Sequence, residues 1–78
     1  MKWDIENATY IDGYKIRLTF KDGKVGVLNL ENSLIGSVFE PLKIIENFKK
    51  FSIHPEIKIL VWDTGADIAP EFAYENAI

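Results

Sequence analysis

The stretch Trp62-Asp63-Thr64-Gly65-Ala66-Asp67-Ile68-Ala69-Pro70-Glu71 compresses a strand end, a turn and a helix start into ten residues. It joins the two most hydrophobic parts of the chain, Ile57 to Trp62 and Phe72 to Ile78, so the upstream residues must pack around this corner. Asp63, Thr64 and Gly65 make the turn. Pro70 suits the first position of a helix, where its missing N–H costs nothing, and Glu71 falls in the first turn, where the helix dipole favours an acid. Phe72, Ala73, Tyr74 and Ala77 supply the packing of that helix. On the other side, Ile57-Lys58-Ile59-Leu60-Val61-Trp62 reads as an interior strand, apolar on both faces.

Working back from the corner, Trp3 to Leu30 predicts a three-stranded antiparallel meander. Asp12-Gly13 and Asp22-Gly23 each sit between β-rich runs, and Asp-Gly is a strong signal for a two-residue hairpin loop. Two such loops pair Ile11 with Tyr14, Thr9 with Ile16, Asn7 with Leu18 and Ile5 with Phe20, then Phe20 with Val25 and Leu18 with Val27, all on the core face. In this register Leu28 and Leu30 share the outer face with Tyr10 and Ala8, beside Lys15 and Arg17. Two readings are open there. Either a β-bulge near Val27 or a later segment takes the leucines out of solvent, or Tyr10, Leu28 and Leu30 form a partner site suited to a homodimer.

Between meander and corner, Glu31 to Glu40 is a connection turning at Gly36. Pro41 then opens a helix, with Leu42, Ile45 and Phe48 interleaved with Ile44 and Phe51 as a broad apolar stripe, and Lys49 and Lys50 near its end. His54-Pro55 is a turn. The whole predicts one domain over residues 1–78, of α+β class, a small two-layer fold in which the meander is followed by a helix, a further strand and a C-terminal helix.

Composition bounds what such a domain can do. The chain has 78 residues, 47% of them hydrophobic, no cysteine and a net charge of -3. A domain this short buries only about 60 to 65% of the surface its unfolded chain exposes. Without disulfides to compensate, a reducing, cytoplasmic setting is expected, and thiolate zinc sites and thiol catalysis are excluded. No apolar run approaches the ~20 residues of a membrane span, and no basic face marks a nucleic-acid binder. The charge is unevenly placed: Asp63, Asp67, Glu71 and Glu75 are the only charged residues after Lys58, whereas Lys15, Arg17, Lys21 and Lys24 lie in the first third.

Little catalytic chemistry is legible. The four late acids are spaced by four, but Gly65 and Pro70 keep them off a single helix. Asp63, Asp67 and Glu71 together are the only candidate for a hard-cation or small-ligand site, with looser spacing than a calcium loop has. The structural alternative is that Asp63 supports the turn with Thr64 and Gly65, Asp67 helps satisfy free N–H groups around the start of the last helix, and Glu71 and Glu75 are solvated. His54 has no triad partner, the five glycines form no phosphate loop, and nothing selects an acid–base pair among twelve carboxylates. An enzyme is not expected, and no cofactor or metal is assigned.

The Leu18-Thr19-Phe20-Lys21-Asp22-Gly23 hairpin, the Phe39-Glu40-Pro41-Leu42 helix start, Phe48 and above all Trp62 to Glu71 resemble the family catalogued as domain of unknown function 2442, over nearly the whole chain. Where that family commonly has proline after the tryptophan, Asp63 stands here, a departure that touches only the turn. The resemblance implies a two-layer α+β fold and a bacterial or phage origin, and it carries no catalytic residues. It also implies pairing with another small protein in a two-gene, toxin–antitoxin-like arrangement. DNA binding through the additional helix-turn-helix domain of some members is not expected of these residues. The expected function is a small protein-interaction module, an antitoxin-like partner whose contact residues are Asp63, Asp67, Glu71 and Glu75 or the Tyr10, Leu28 and Leu30 patch. The alternative is a small-ligand or metal-binding regulatory domain at Asp63, Asp67 and Glu71.

Overall fold

The structure, a computed structural model, describes residues 1–78. Three antiparallel strands, β1 (Ile5–Asp12), β2 (Lys15–Phe20) and β3 (Val25–Asn29), form one sheet in the order β1-β2-β3. A short 3-10 helix (Glu40–Lys43), helix α1 (Ile45–Phe48), a two-stranded sheet of β4 (Ser52–Ile53) and β5 (Leu60–Val61), and helix α2 (Pro70–Asn76) follow. These short pieces together form the second layer of the α+β fold. Leu34, Leu42, Phe48, Leu60, Trp62, Ala66, Ile68, Ala73 and Ala77 close over Ile5, Ile16, Leu18, Phe20, Leu28 and Leu30 in one core.

The meander is present, but its register differs from the expected one in a way that matters. Ile5 pairs with Phe20 as expected; beyond it Glu6 is bulged, and Ala8 pairs with Leu18 and Tyr10 with Ile16. The second hairpin pairs Ile16 with Leu28 and Leu18 with Gly26. Since successive side chains alternate faces, a slip of one residue exchanges them. Ala8, Tyr10, Leu28 and Leu30 therefore turn inward, and Leu28 and Leu30 are completely buried.

The causes are the turns, together with two irregularities of β1, at Glu6 and between Tyr10 and Asp12. Asp-Gly does not occupy the two central positions of either loop, because the aspartates keep negative φ. The first loop is Gly13-Tyr14, between the paired Asp12 and Lys15. The second has three residues, Lys21-Asp22-Gly23: the Gly23 N–H donates to the Phe20 carbonyl at 2.9 Å and the Phe20 N–H to the Lys24 carbonyl at 2.8 Å. With φ of +95° at Gly23, this is a turn closed by a glycine bulge, the usual three-residue hairpin. The leucines are turned in by that loop and not by a bulge at Val27.

The second layer differs from expectation at two places. The helix expected from Pro41 breaks at Ile44, whose φ of -81° and ψ of 118° are extended. Adjacent β-branched Ile44 and Ile45 lose side-chain freedom in a helix, and the break costs little because Asn47 Nδ2 donates to the Pro41 carbonyl at 3.0 Å. The expected interior strand shrinks to Leu60–Val61, because the loop from His54 consumes the residues before it. His54 Nδ1 accepts the N–H groups of Glu56 and Ile57 at 3.1 and 3.2 Å, and Lys58 takes a positive φ of 59°. Ile57 is left 57% exposed.

Helix α2 starts at Pro70 as expected and buries Ala73. It is held to the meander at its far end, where the N–H groups and carbonyls of Val27 and Ile78 bond reciprocally at 2.8 and 3.1 Å. No helix is long and apolar enough to cross a membrane.

Candidate functional site at the acidic corner and its helix

Trp62 anchors the corner. It is 4% exposed, and its indole Nε1–H donates to the Phe48 carbonyl at 2.8 Å, so the ring closes the space beside α1 without leaving its polar atom unpaired. The turn after it repeats the geometry of the second hairpin. The Gly65 N–H donates to the Trp62 carbonyl at 3.1 Å, the Trp62 N–H to the Ala66 carbonyl at 2.9 Å, and φ at Gly65 is +94°. Thr64 locks it: its hydroxyl donates to the Val38 carbonyl at 2.9 Å and accepts the Ala66 N–H at 3.3 Å. Thr64 and Gly65 support the turn as expected, whereas the Asp63 carboxylate makes no hydrogen bond in it. Asp63 stands exposed at the tip, and Val38, which Thr64 binds, is itself 40% exposed.

Asp67 lies on the return of the same hairpin, opposite Val61. It does not cap α2, whose N-cap is Ala69 and which has no side-chain cap. Glu71 lies in its first turn, where the dipole favours an acid. Asp63, Asp67, Glu71 and Glu75 are all exposed, and none enters an ion pair.

The structure separates these four acids into two sets. Glu71 and Glu75, one helical turn apart on α2, line one groove of about 170 Å³ together with Lys2, Trp3 and Tyr74. Asp63 and Asp67 remain on the hairpin and are not in that groove. No three acids or histidines converge to hold a metal ion, so Asp63, Asp67 and Glu71 do not assemble the cation site that their spacing left open.

Of the two readings of the meander face, the structure takes the one in which the leucines leave solvent, and the partner site at Tyr10, Leu28 and Leu30 falls. With Leu28 and Leu30 in the core, no exposed leucine pair is offered to a partner. Tyr10 is half-buried against Phe48, ring centroids 6.3 Å apart, and its hydroxyl donates to the Gly13 carbonyl at 3.0 Å. The outer face of the sheet instead shows Thr9, Lys15, Arg17, Val25 and Asn29.

Lys2, Trp3 and Tyr74 were not legible as site residues, because nothing in local spacing links the start of the chain to its last helix. Tyr74 is bound on several sides. Its ring packs edge-on to Phe20 at 5.0 Å, its carbonyl accepts from Lys24 Nζ, and its hydroxyl donates to Asp22 Oδ2 at 2.5 Å. That last bond, and after it the Lys24 N–H on Oδ1, holds the Asp22 carboxyl below its ordinary value against desolvation, with the charges of Lys2 and Lys24 adding to the effect. The same bond, with desolvation and the negative charge of Asp22, raises the Tyr74 hydroxyl. A second, open groove of about 450 Å³ is lined by Asp4, Ile5, Glu6, Lys21, Ile53 and Lys58.

No curated protein and no solved structure matches this chain. A family model does, over residues 5–78, with both hairpins, the Trp62 corner and α2 inside the match. The chain therefore belongs to the family described as protein of unknown function DUF2442.

Proposed function

We propose that this domain is a small protein-interaction module that docks a cationic protein partner through its acidic C-terminal quarter, in the manner of an antitoxin neutralising a toxin. One observation carries the reading: Asp63, Asp67, Glu71 and Glu75 are exposed, none is neutralised by an ion pair, and no lysine or arginine follows Lys58. Unpaired surface carboxylates of one sign steer a partner of the opposite sign and reject one of the same sign. Apolar surface accompanies them, with Val38 beside the corner turn and Phe72 on α2 each 40% exposed. Each of the two acidic sets thus has an exposed apolar side chain near it, which a partner can bury while the carboxylates recognise it. The domain acts by covering a surface, with no catalytic step, and a cytoplasmic bacterial setting suits a chain without cysteine.

The test is capture of partners from the native host with the wild-type domain and with Glu71→Lys combined with Glu75→Lys, analysed by mass spectrometry at low and high salt. Selective loss of a basic partner in the variant, and in the wild type at high salt, is the expected outcome. Undiminished capture of every partner by the reversed variant sinks the reading.

A further inference from the structure

We propose that the groove between the N-terminal turn and α2 is a receptor for a single cationic side chain, an arginine or lysine projected by a protein partner. Its volume, about 170 Å³, suits one side chain and not a folded element. Two of its walls are aromatic, Trp3 and Tyr74, and both carboxylates on its rim, Glu71 and Glu75, are exposed. An aromatic face attracts a cation through its quadrupole, and a carboxylate adds a charge-assisted hydrogen bond. The two together define a cation-selective chemistry. The larger groove at Asp4, Ile5, Glu6, Lys21, Ile53 and Lys58 has no aromatic wall, and its two lysines offset its two acids.

Two cations of the chain itself already lie over the Tyr74 ring, and Lys2 is the one that also lines the groove. Lys2 Nζ lies 5.2 Å from the centroid of the Tyr74 ring, and Lys24 Nζ lies 4.4 Å from the same centroid. Lys2 nevertheless forms no ion pair with Glu71 or Glu75, so the two carboxylates remain available while the ring is in use. An incoming arginine gains both, since its flat guanidinium stacks on an aromatic ring and presents a fork of donors to a carboxylate. Lys2 is then an internal competitor that the partner's side chain displaces. The proposal rests on the interaction reading above only in naming a protein as the source of the cation.

The test is a titration of isotope-labelled protein with the blocked peptide acetyl-Gly-Arg-Gly-amide, followed by NMR, with the uncharged citrulline peptide of the same shape as control. The indole N–H of Trp3 and the amides of Glu71 to Glu75 should shift and saturate on the order of millimolar, as befits one side chain, while the Trp62 indole stays still. The citrulline peptide should leave all of them unmoved. Glu71→Gln with Glu75→Gln should weaken binding about tenfold, and Lys2→Ala should tighten it about two- to fivefold. These three positions are exposed, so the variants retain the fold. Equal shifts with citrulline, shifts that map away from α2, or weaker binding in Lys2→Ala overturn the proposal. If the peptide fails while partner capture still depends on Glu71 and Glu75, the groove is refuted and the interaction reading stands. If the groove binds arginine and no partner is captured, the reverse holds.

Discussion

At the scale of the single residue, Trp62 is the side chain with the most to lose. It is large, nearly fully buried, and bonded through its only polar atom to the Phe48 carbonyl. Trp62→Ala should cost about 3–5 kcal/mol, which in a domain this small is enough to unfold it. Trp62→Phe keeps most of the volume but strands the Phe48 carbonyl, and should cost about 1–3 kcal/mol. Urea unfolding of the two variants checks both, and an unchanged midpoint in the alanine variant contradicts the structural role. Tyr74 and Asp22 make a prediction about pH. The lowered Asp22 carboxyl contributes stability that is complete above its ordinary value of 3.8 and lost as pH falls through the lower folded value. The raised Tyr74 hydroxyl contributes stability that is complete below its ordinary value of 10.0 and lost as pH rises through the higher folded value. The difference in thermal stability between wild type and Tyr74→Phe should be flat from about pH 5 to about pH 9 and shrink on either side. A difference that varies across that plateau would show that other groups control it.

At the scale of the element, the two three-residue turns decide which faces look inward. Both place a side-chain oxygen before the glycine, Asp22 Oδ1 in one and Thr64 Oγ1 in the other, to accept the N–H of the residue after it, at 2.9 and 3.3 Å. Gly23→Ala and Gly65→Ala each force an L-residue into the left-handed region and should cost about 1–2 kcal/mol, measurable as matched shifts in denaturant midpoint. Gly26→Ala should fail for a different reason. A methyl group there would meet the backbone carbonyl carbon of Ala77 at 2.9 Å, so β3 and the end of α2 must separate. Hydrogen exchange at Val27 and Ile78 should accelerate in that variant. No acceleration would mean the tail adjusts without releasing the strand. The inward register is tested by Leu28→Lys with Leu30→Lys, which should abolish cooperative unfolding. A folded variant would return the leucines to the surface.

At the scale of the whole molecule, charge is divided between surfaces. Lys15 and Arg17 stand on an outer sheet face that nothing covers, and the unpaired acids lie on the corner hairpin and α2. The cationic face has no aromatic side chain on it, since Tyr10 and Tyr14 pack against Phe48. With a net charge of -3 as well, retention of a random-sequence duplex at micromolar concentration and physiological salt should not be observed. Salt-sensitive binding of that strength would mean the sheet face outweighs the net charge. Homodimerisation through an exposed patch of Leu28 and Leu30 is not available to this fold, since both are completely buried.

What the chain determines locally was readable from it: the meander, the Trp62 corner, the helix starting at Pro70, and the exposure of Glu71 and Glu75 all follow from turn chemistry, apolar alternation and proline. Register was not, because Asp-Gly serves either a two- or a three-residue loop, and only the need to bury Leu28 and Leu30 together with Ile16 and Leu18 chooses between them. The helix expected after Pro41 and the strand expected at Ile57 were overridden for the same kind of reason. Leu42, Phe48 and Leu60 must all reach a core that a continuous helix and a long strand could not fill. The groove at α2 was beyond any reading of local pattern, since Lys2 and Trp3 meet Glu71, Tyr74 and Glu75 only when the two ends of the chain pack against the same hairpin.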